Sequence, residues 1–195
     1  MTKINNFTLT IALGFVTAFA PLSIDMYLSS LPTLERYFFV DANTIQLTLA
    51  SFFVGFSAGQ LFYGPISDKY GRKPPLYIGL LIFVVASVGC ALSTTVEWLI
   101  FFRFLEALGA CAGGVISRAV VRDLYHPSEA SKIYSYLMLV SSVAPMLSPI
   151  AGGYILISLG WKAIFLILAA LGVISLFSIV FWLEESHAKN RTESI

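Results

Sequence analysis

The sequence predicts an all-α membrane protein whose six transmembrane helices form two inverted repeats of three helices each. Hydrophobic residues make up 57% of the 195 residues and charged residues only 12%, whereas soluble domains carry roughly 25% charged residues. The charged residues lie between long apolar stretches, and the second half of the chain repeats features of the first half at a fixed offset. A soluble globular domain is therefore excluded, and the net charge of +1 gives no indication of nucleic-acid binding.

Six apolar stretches are long enough to cross a bilayer, which takes about 20 residues of helix. Their bounds are set to within about 2–4 residues at 7–31, 43–66, 75–93, 96–117, 132–158 and 162–183. Together they form one bundle, 1–186, and the polar segment 187–195 is expected to follow as a cytoplasmic tail or the start of a linker. The connections are short, except for about ten residues after the first span and a longer loop near 118–131.

The second and fourth stretches each contain a Gly-x-x-x-Gly pattern, at Gly55 and Gly59 and at Gly109 and Gly113. Small residues at this spacing let two membrane helices approach closely. The pattern predicts tight helix contacts rather than a binding site.

The two halves of the chain are related by a shift of 89 residues. This shift covers three spans, so the two copies face opposite sides of the membrane, as expected of inverted repeats. It places Gly64, Gly71 and Lys73 onto Gly153, Gly160 and Lys162.

The distribution of basic residues predicts that both termini are cytoplasmic. With that orientation nine basic residues lie on the inner side and two, Arg36 and Lys162, on the outer side, which agrees with the preference of basic residues for the cytoplasm. Trp98 and Trp161 then fall at outer span ends and Trp182 near an inner end. The inner basic residues are Lys3, Lys69, Arg72, Lys73, Arg118, Arg122, Lys132, Lys189 and Arg191.

The loop between the second and third stretches reads G-P-I-S-D-K-Y-G-R-K-P, from Gly64 to Pro74. Gly64 is expected to allow a close helix approach, and Gly71 to adopt a positive φ. Asp68 is suited to capping the next helix or pairing with a cation. The alternative to a gating role is an ordinary basic cytoplasmic loop. The candidate gating residues of this loop are Gly64, Asp68, Lys69, Gly71, Arg72 and Lys73.

Three further charged residues, Arg118, Arg122 and Asp123, end the fourth stretch on the same side. They are candidates for a latch that pairs with Asp68 and closes the cytoplasmic side. The alternative is a solvated helix end.

Three ionisable residues lie inside predicted spans: Asp25, Arg103 and Glu106. Burying each costs roughly 2.5–3.5 kcal/mol, so such residues are functional candidates. Counting at about 1.5 Å per residue from the outer ends, Asp25 and Arg103 come to similar depth, and we expect them to meet. Two carboxylates around one cation suit a proton site, whereas the alternative is a static buried ion network.

The fifth stretch contains two prolines on one helix face, Pro145 and Pro149, followed by Gly152 and Gly153. Each proline removes a backbone hydrogen bond and favours a kink, and the glycines permit close packing. Ser148 lies between them as a further small residue. The alternative is a kinked helix that only packs.

The loop resembles the motif G-x-x-x-D-R-x-G-R-[RK] of the major facilitator superfamily, with Lys69 in place of the usual Arg. Arg103, Glu106 and Gly109 resemble that family's R-x-x-Q-x-x-G, with Glu106 where Gln is usual. The tail of the antiporter motif G-x-x-x-G-P-x-x-G-G is present from Pro149 to Gly153, whereas Ala144 and Ser148 replace its first glycines.

Taken in order, the stretch from Ser23 to Pro32, the Asp68 loop, the segment from Arg118 to Tyr125 and the proline-rich fifth span resemble the bicyclomycin and chloramphenicol resistance branch of drug:proton antiporters. This resemblance implies the N-terminal half of a twelve-helix carrier for multidrug efflux across the bacterial inner membrane. It implies small amphipathic drugs, protons and membrane lipid as partners, with a C-terminal six-helix half or a second copy. The proton gradient would be the energy source, and no cofactor is implied.

Two other functions stay open: an uptake symporter of the same superfamily, and a transport-inactive six-span fragment or assembly partner. An enzyme is not expected, since His126 and His187 lie in predicted loops without a partnering motif. Cys90 and Cys111 fall inside spans without the spacing of a metal site, so they are expected to be packing residues.

Overall fold

The computed structural model describes the backbone of residues 6–182 and the side chains of residues 9–180, and this part of the chain contains eight α-helices and no β-strand. The predicted tail, 187–195, lies outside the described residues. The helices are α1 (Asn6–Thr17), α2 (Phe19–Leu28), α3 (Leu31–Phe38), α4 (Ala42–Tyr70), α5 (Lys73–Leu92), α6 (Val96–Leu124), α7 (Pro127–Leu159) and α8 (Trp161–Trp182).

Six segments are long and apolar enough to cross a membrane, so the predicted all-α membrane fold is confirmed. The first consists of α1 and α2 together, Leu9–Leu28, and the others are α4 to α8. The first span is interrupted at Ala18. Pro21 has no N–H to donate to the carbonyl group of Thr17, and this missing bond explains why the helix is interrupted there.

The predicted long loop near 118–131 is wrong. Helix α6 continues to Leu124 and α7 begins at Pro127, so Tyr125 and His126 alone connect them. Proline at the first position and Glu129 in the first turn favour the start of a helix. Charged residues at the end of α6 had suggested a loop, but a helix that extends beyond the bilayer is expected to carry charges.

The connection between the first and second spans contains the short helix α3, which the sequence analysis did not predict. Its Leu34 is buried and packs toward the bundle. It ends at Phe39, whose φ of 55° is left-handed. The α3 side of the bundle is called here the α3 end, and the side with the α4–α5 loop is called the loop end.

Helix α6 packs closely against α4 and α5 through glycines. A Cβ atom added at Gly55 would lie 2.4 Å from the carbonyl oxygen of Phe104, and one at Gly109 would lie 2.4 Å from the amide nitrogen of Phe83. The predicted close contacts of the Gly-x-x-x-Gly patterns are therefore confirmed. The predicted close approach at Gly64 is wrong, because no atom lies within 4 Å of the position of its Cβ.

The inverted repeat is visible in the backbone. Gly71 ends α4 with φ 89° and ψ 172°, and Gly160 ends α7 with φ 83° and ψ 169°. These two glycines are equivalent under the 89-residue shift, and only glycine adopts such angles without strain. The helices that follow, α5 and α8, pack against each other.

Candidate functional site

A buried ion pair lies inside the membrane-spanning part of α6. The guanidinium Nη1 of Arg103 donates to Oε2 of Glu106 at 2.8 Å, and both side chains have 0% exposure. The second carboxylate oxygen of Glu106 accepts from the hydroxyl of Ser87 on α5 at 3.0 Å, and the thiol of Cys90 lies 3.9 Å from Oε2. Glu106 is therefore directed toward α5.

Aromatic rings cover the Arg103 guanidinium. Its central carbon lies 4.4 Å from the ring centre of Tyr27 and 4.3 Å from that of Phe52. Cation–π contacts of this kind are worth about 0.5–2 kcal/mol when desolvated. Nε and Nη2 of Arg103 have no hydrogen-bond partner among the described residues. Aromatic rings therefore surround this part of the guanidinium.

The predicted contact between Asp25 and Arg103 is wrong. Arg103 instead donates to the backbone carbonyl oxygen of Ser23 on α2 at 3.0 Å. Ser23 is buried, and Asp25, two residues further on, is half-buried and forms no ion pair with any described residue. Residues two apart point about 200° away from each other around a helix, so similar depth did not bring the two side chains together.

At the loop end, Arg72 is the centre of a second charged cluster. It is 1% exposed, and its Nε donates to Asp123 on α6 at 2.7 Å. Its Nη1 donates to Asp68 at 2.7 Å and to the hydroxyl of Ser67 at 2.7 Å. Burial of the guanidinium opposes its charge, but the hydrogen bonds and attraction of Asp123 and Asp68 outweigh burial, so the pKa of Arg72 is raised.

The residues proposed as a latch are only partly brought together with Asp68. Arg122 lies 4.0 Å from Asp68 and 3.6 Å from Asp123, and is 66% exposed. Arg118 forms no ion pair within 4.0 Å among the described residues, although its carbonyl oxygen accepts from the hydroxyl of Tyr134 on α7 at 2.9 Å. The sequence places Arg72 in the loop but does not predict that it joins both aspartates.

The remaining loop residues lie at the surface of this cluster. The ammonium of Lys69 lies 5.1 Å from the ring centre of Tyr70, and that of Lys73 lies 5.7 Å from the ring centre of Tyr77. Gly71 has the predicted positive φ. It allows the chain to leave α4 so that Arg72 can turn back to Asp68.

Helix α7 runs through Pro145 and Pro149 without interruption. The carbonyl oxygen of Pro149 accepts from the hydroxyl of Ser29 at 3.2 Å, and Ser148 is buried with its hydroxyl donating to Ala144 at 2.5 Å. A Cβ atom at Gly152 would lie 2.4 Å from the carbonyl oxygen of Met26, whereas Gly153 has no neighbour within 4 Å of such an atom. Only the first glycine of the pair therefore makes the predicted close contact.

Between α1 and α7 the structure contains a groove of about 820 Å³, here called the α1–α7 groove. The sequence does not predict this groove, because its shape depends on how two helices that are distant in the sequence pack together. Most of its lining is apolar, and its polar residues lie toward the loop end. The lining residues are Thr10, Ile11, Gly14, Phe15, Ala18, Leu22, Tyr125, Glu129, Lys132, Ile133, Tyr136, Leu137, Leu139 and Val140.

The described residues contain no group of three or more His, Cys, Asp or Glu side chains that could hold a metal ion. Cys90 and Cys111 are both buried free thiols. Cys111 packs beside Gly59, where its Cβ lies 2.8 Å from the position of an added Cβ atom.

The sequence model of the Major Facilitator Superfamily matches residues 13–195. The chain belongs to this superfamily. Its fold and family are those of membrane transporters. The chain is 41% identical over 180 residues to the uncharacterized MFS-type transporter YdgK of Bacillus subtilis, with 91% of this chain and 45% of that protein covered.

Two further relatives are named for antibiotic resistance. The bicyclomycin resistance protein homolog of Haemophilus influenzae is 32% identical, with 95% of this chain and 46% of that protein covered. The chloramphenicol resistance protein of Pseudomonas aeruginosa is 43% identical, with 80% of this chain and 37% of that protein covered. The predicted relationship to this branch is confirmed, and the chain spans about half the length of the curated relatives it matches.

Solved structures agree on the fold. The proton:xylose symporter XylE superimposes with a TM-score of 0.82 over 92% of this chain and 45% of that protein, at 18% sequence identity. A peptide transporter, POT, superimposes with a TM-score of 0.75 over 88% of this chain and 37% of that protein. At such low identity these likenesses concern the fold alone.

Proposed function

We propose that this chain is the N-terminal half of a proton-coupled multidrug exporter of the bacterial inner membrane, with both termini in the cytoplasm. The observation that supports the class of substrate is the α1–α7 groove. Its volume of about 820 Å³ falls in the range of small-molecule sites, which are mostly apolar with a few polar groups. Relatives named for bicyclomycin and chloramphenicol resistance favour drugs over nutrients.

The proposed orientation is supported by the charged residues of the described part. The loop end carries Lys69, Arg72 and Lys73, and the α3 end carries Arg36 and Lys162. Basic residues are enriched on the cytoplasmic side of bacterial membrane proteins. The loop end is therefore assigned to the cytoplasm, and with it the start of α1.

A second half is proposed because one inverted-repeat unit lines only one side of a pathway. Helices α4 and α7, which are equivalent in the repeat, expose much of their apolar surface, for example at Leu61, Ile150 and Tyr154. A second six-helix half, or a second copy of this chain, would cover these surfaces.

Within this mechanism Asp25 is the proton carrier. Glu106 is buried against α5 and paired with Arg103, whereas Asp25 is half-buried and has no ion-pair partner among the described residues. A carboxyl group without a fixed counter-ion exchanges its proton more readily when its surroundings change. No cofactor is required, since the proton gradient supplies the free energy.

The experiment joins this chain to the second half of the Pseudomonas aeruginosa chloramphenicol resistance protein and measures chloramphenicol movement in everted vesicles with an imposed proton gradient. We expect Asp25→Asn to abolish gradient-driven movement while drug binding persists. Glu106→Gln, the matched carboxylate control, should retain coupling. Loss of coupling in Glu106→Gln with normal coupling in Asp25→Asn would reverse the assignment.

A different outcome would contradict the exporter itself. If the joined carrier is inserted and binds chloramphenicol but moves none of it under any proton gradient, the proposed efflux is wrong. Movement of a sugar or peptide in the direction of proton flow would instead favour an uptake symporter of the same superfamily.

A further inference from the structure

We propose that the α1–α7 groove binds an elongated amphipathic molecule with its apolar body toward the middle of the membrane and a head group without net charge between Glu129 and Lys132. This inference rests on the proposed function and specifies the substrate class and its orientation. Three features of the groove support it: its course along α1 and α7, the change of polarity along it and the charges at its loop end.

The groove runs along the contact between α1 and α7 and is closed toward the α3 end. There Gly152 of α7 packs directly on Met26 of α2, and the Ser29 hydroxyl donates to the carbonyl oxygen of Pro149 at 3.2 Å. Further toward the loop end, Gly14 of α1 lies against Val140 and Leu137 of α7. The lining from Thr10 to Leu22 spans about 18 Å at 1.5 Å per residue, which is the length of an extended drug-sized molecule.

Polarity changes along the groove. Toward the middle of the membrane its lining is apolar, with Ala18, Leu22 and Val140, whereas Thr10 and Tyr125 lie at the loop end, here called the mouth. Burial raises the pKa of Tyr125, so this mouth hydroxyl stays neutral at physiological pH. An amphipathic molecule would place its apolar body along the groove and keep its polar group at the mouth.

Two opposite charges stand at the mouth, Glu129 and Lys132 on successive turns of α7. Both side chains are exposed, and they form no ion pair with each other within 4.0 Å. Their charges cancel at a distance but create a local dipole. A zwitterionic or neutral dipolar head group complements such a dipole, whereas a singly charged head group meets one attractive and one repulsive residue.

Helices α1 and α7 are in contact at Gly14. A Cβ atom there would lie 3.6 Å from a methyl carbon of Val140 and 3.8 Å from one of Leu137. Val140 is half-buried beside this contact, so a large side chain at this position would cover part of the groove lining. Val85 of α5 provides a matched control, because it is 59% exposed and faces away from the bundle.

The first experiment measures binding of radiolabelled chloramphenicol, a neutral amphipathic molecule, to the purified chain in detergent by scintillation proximity. We expect saturable binding that Val140→Trp weakens at least about tenfold and Val85→Trp leaves unchanged, since only the former fills the groove. Equal binding by both variants, or no saturable binding to the intact chain, would overturn the site. The absence of saturable binding would indicate that a helix of the second half, rather than a drug, occupies the groove.

The second experiment uses two probes of the same shape and opposite charge, tetraphenylphosphonium and tetraphenylborate. We expect Lys132→Gln to shift the affinity ratio toward the cation and Glu129→Gln to shift it toward the anion, each by about two- to fivefold as expected for exposed charges. An unchanged ratio in both variants would contradict the placement of the head group.

The outcome for the groove can be separated from the outcome for efflux. Binding with the expected pattern, combined with a joined carrier that moves no drug, would contradict efflux and leave the groove intact. Normal efflux by a Val140→Trp carrier would contradict the groove and leave efflux intact.

Discussion

At the scale of single residues, two buried arginines have different surroundings. Arg103 is 0% exposed and is held by one carboxylate, one backbone carbonyl and three aromatic rings. Arg72 is 1% exposed but joins Asp68, which is 53% exposed, to Asp123. The first is a closed pair inside the bundle, whereas the second lies where its acidic partners reach solvent and can exchange partners.

Replacing Arg103 should destabilise the bundle by leaving Glu106 charged and buried. We expect Arg103→Met to lower the free energy of unfolding by about 3–5 kcal/mol, the usual cost of removing one partner of a buried pair. Adding Glu106→Gln should restore much of this loss because no buried charge is left. Unfolding of the purified chain in mixed micelles with increasing dodecyl sulfate measures both, and a double variant no better than the single one would contradict the pairing.

Replacing Arg72 should have a larger effect than replacing the neighbouring Arg122. Arg72→Ala removes three hydrogen bonds to Ser67, Asp68 and Asp123, and we expect a loss of about 1.5–3 kcal/mol, as for a hydrogen bond to a charged group. Arg122→Ala removes contacts of an exposed side chain, so its cost should stay below about 1 kcal/mol. The same unfolding measurement compares the two, and equal losses would show that Arg72 is not the centre of the cluster.

At the scale of helices, contacts between backbones position α6. Gly109 lies against Phe83 and Gly79 of α5, and Gly55 of α4 lies against the carbonyl oxygen of Phe104. Because the nearest atoms belong to backbone, they cannot move aside as a flexible side chain would. These contacts hold α6 at the depth where Arg103 reaches the backbone of α2 and Glu106 reaches Ser87 of α5.

Two glycines of α6 should respond oppositely to the same substitution. Gly109→Ala would place a Cβ atom 2.4 Å from a backbone nitrogen and should cost about 1–3 kcal/mol through overpacking. Gly114→Ala meets nothing within 4 Å and should stabilise the helix by up to about 1 kcal/mol. Thermal unfolding of both variants tests this difference, and a stabilising Gly109→Ala would be inconsistent with the close α5–α6 contact.

The start of α4 should depend on pH through Asp41. Its carboxylate accepts from the hydroxyl of Thr44 and, at 3.2 Å, from the amide of Thr44, and these bonds lower the pKa of Asp41. The stabilisation is therefore present above the unfolded-state pKa near 3.9 and is lost as the pH falls through the lower folded-state value.

Amide exchange of Thr44 measures this cap. After correction for intrinsic exchange, protection in the natural chain should fall several-fold on acidification, and Asp41→Ala should remove it at every pH, as expected for loss of an N-cap. Asp41→Asn keeps a capping oxygen without a titrating charge, so its protection should not depend on pH. Acid-sensitive protection in Asp41→Asn would assign the effect to another group.

At the scale of the whole molecule, the inverted repeat relates the two helices that have the most exposed apolar surface, α4 and α7. All six described spans expose some large apolar side chains, but α4 and α7, with residues such as Leu61 and Ile157, are the least buried of them. Alternating access in carriers of this type requires one bundle to move against another. A single six-helix bundle has no second bundle to move against.

The chain alone is therefore expected to bind drug but not to transport it. Vesicles that contain only this chain should show no drug movement driven by a proton gradient, while vesicles with the joined carrier should show it. Sizing of the inserted chain by cross-linking controls for pairing of two copies. Gradient-driven exchange by a strictly monomeric chain would contradict the assignment as a half, and exchange by a dimer would favour two copies.

The sequence by itself determined the six spans, the inverted repeat, the turn at Gly71 and the helix contacts at Gly55 and Gly109. Each of these depends on local properties: apolar length, the conformational freedom of glycine and the spacing of small residues. Local signals did not reveal that α6 continues to Leu124, because charged residues suit both a loop and a helix outside the bilayer.

Only the tertiary structure decided the partners of the charged residues and the shape of the groove. Depth along the membrane placed Asp25 beside Arg103, but rotation around α2 directs Ser23 rather than Asp25 toward that arginine. Arg72 joins Asp68 to Asp123 across 51 residues of chain. The groove lies where α7 packs along α1, beyond the contact of α7 with α2 at Gly152. Rotation about a helix axis and the angle between two helices depend on packing over the whole bundle, and no short stretch of sequence specifies them.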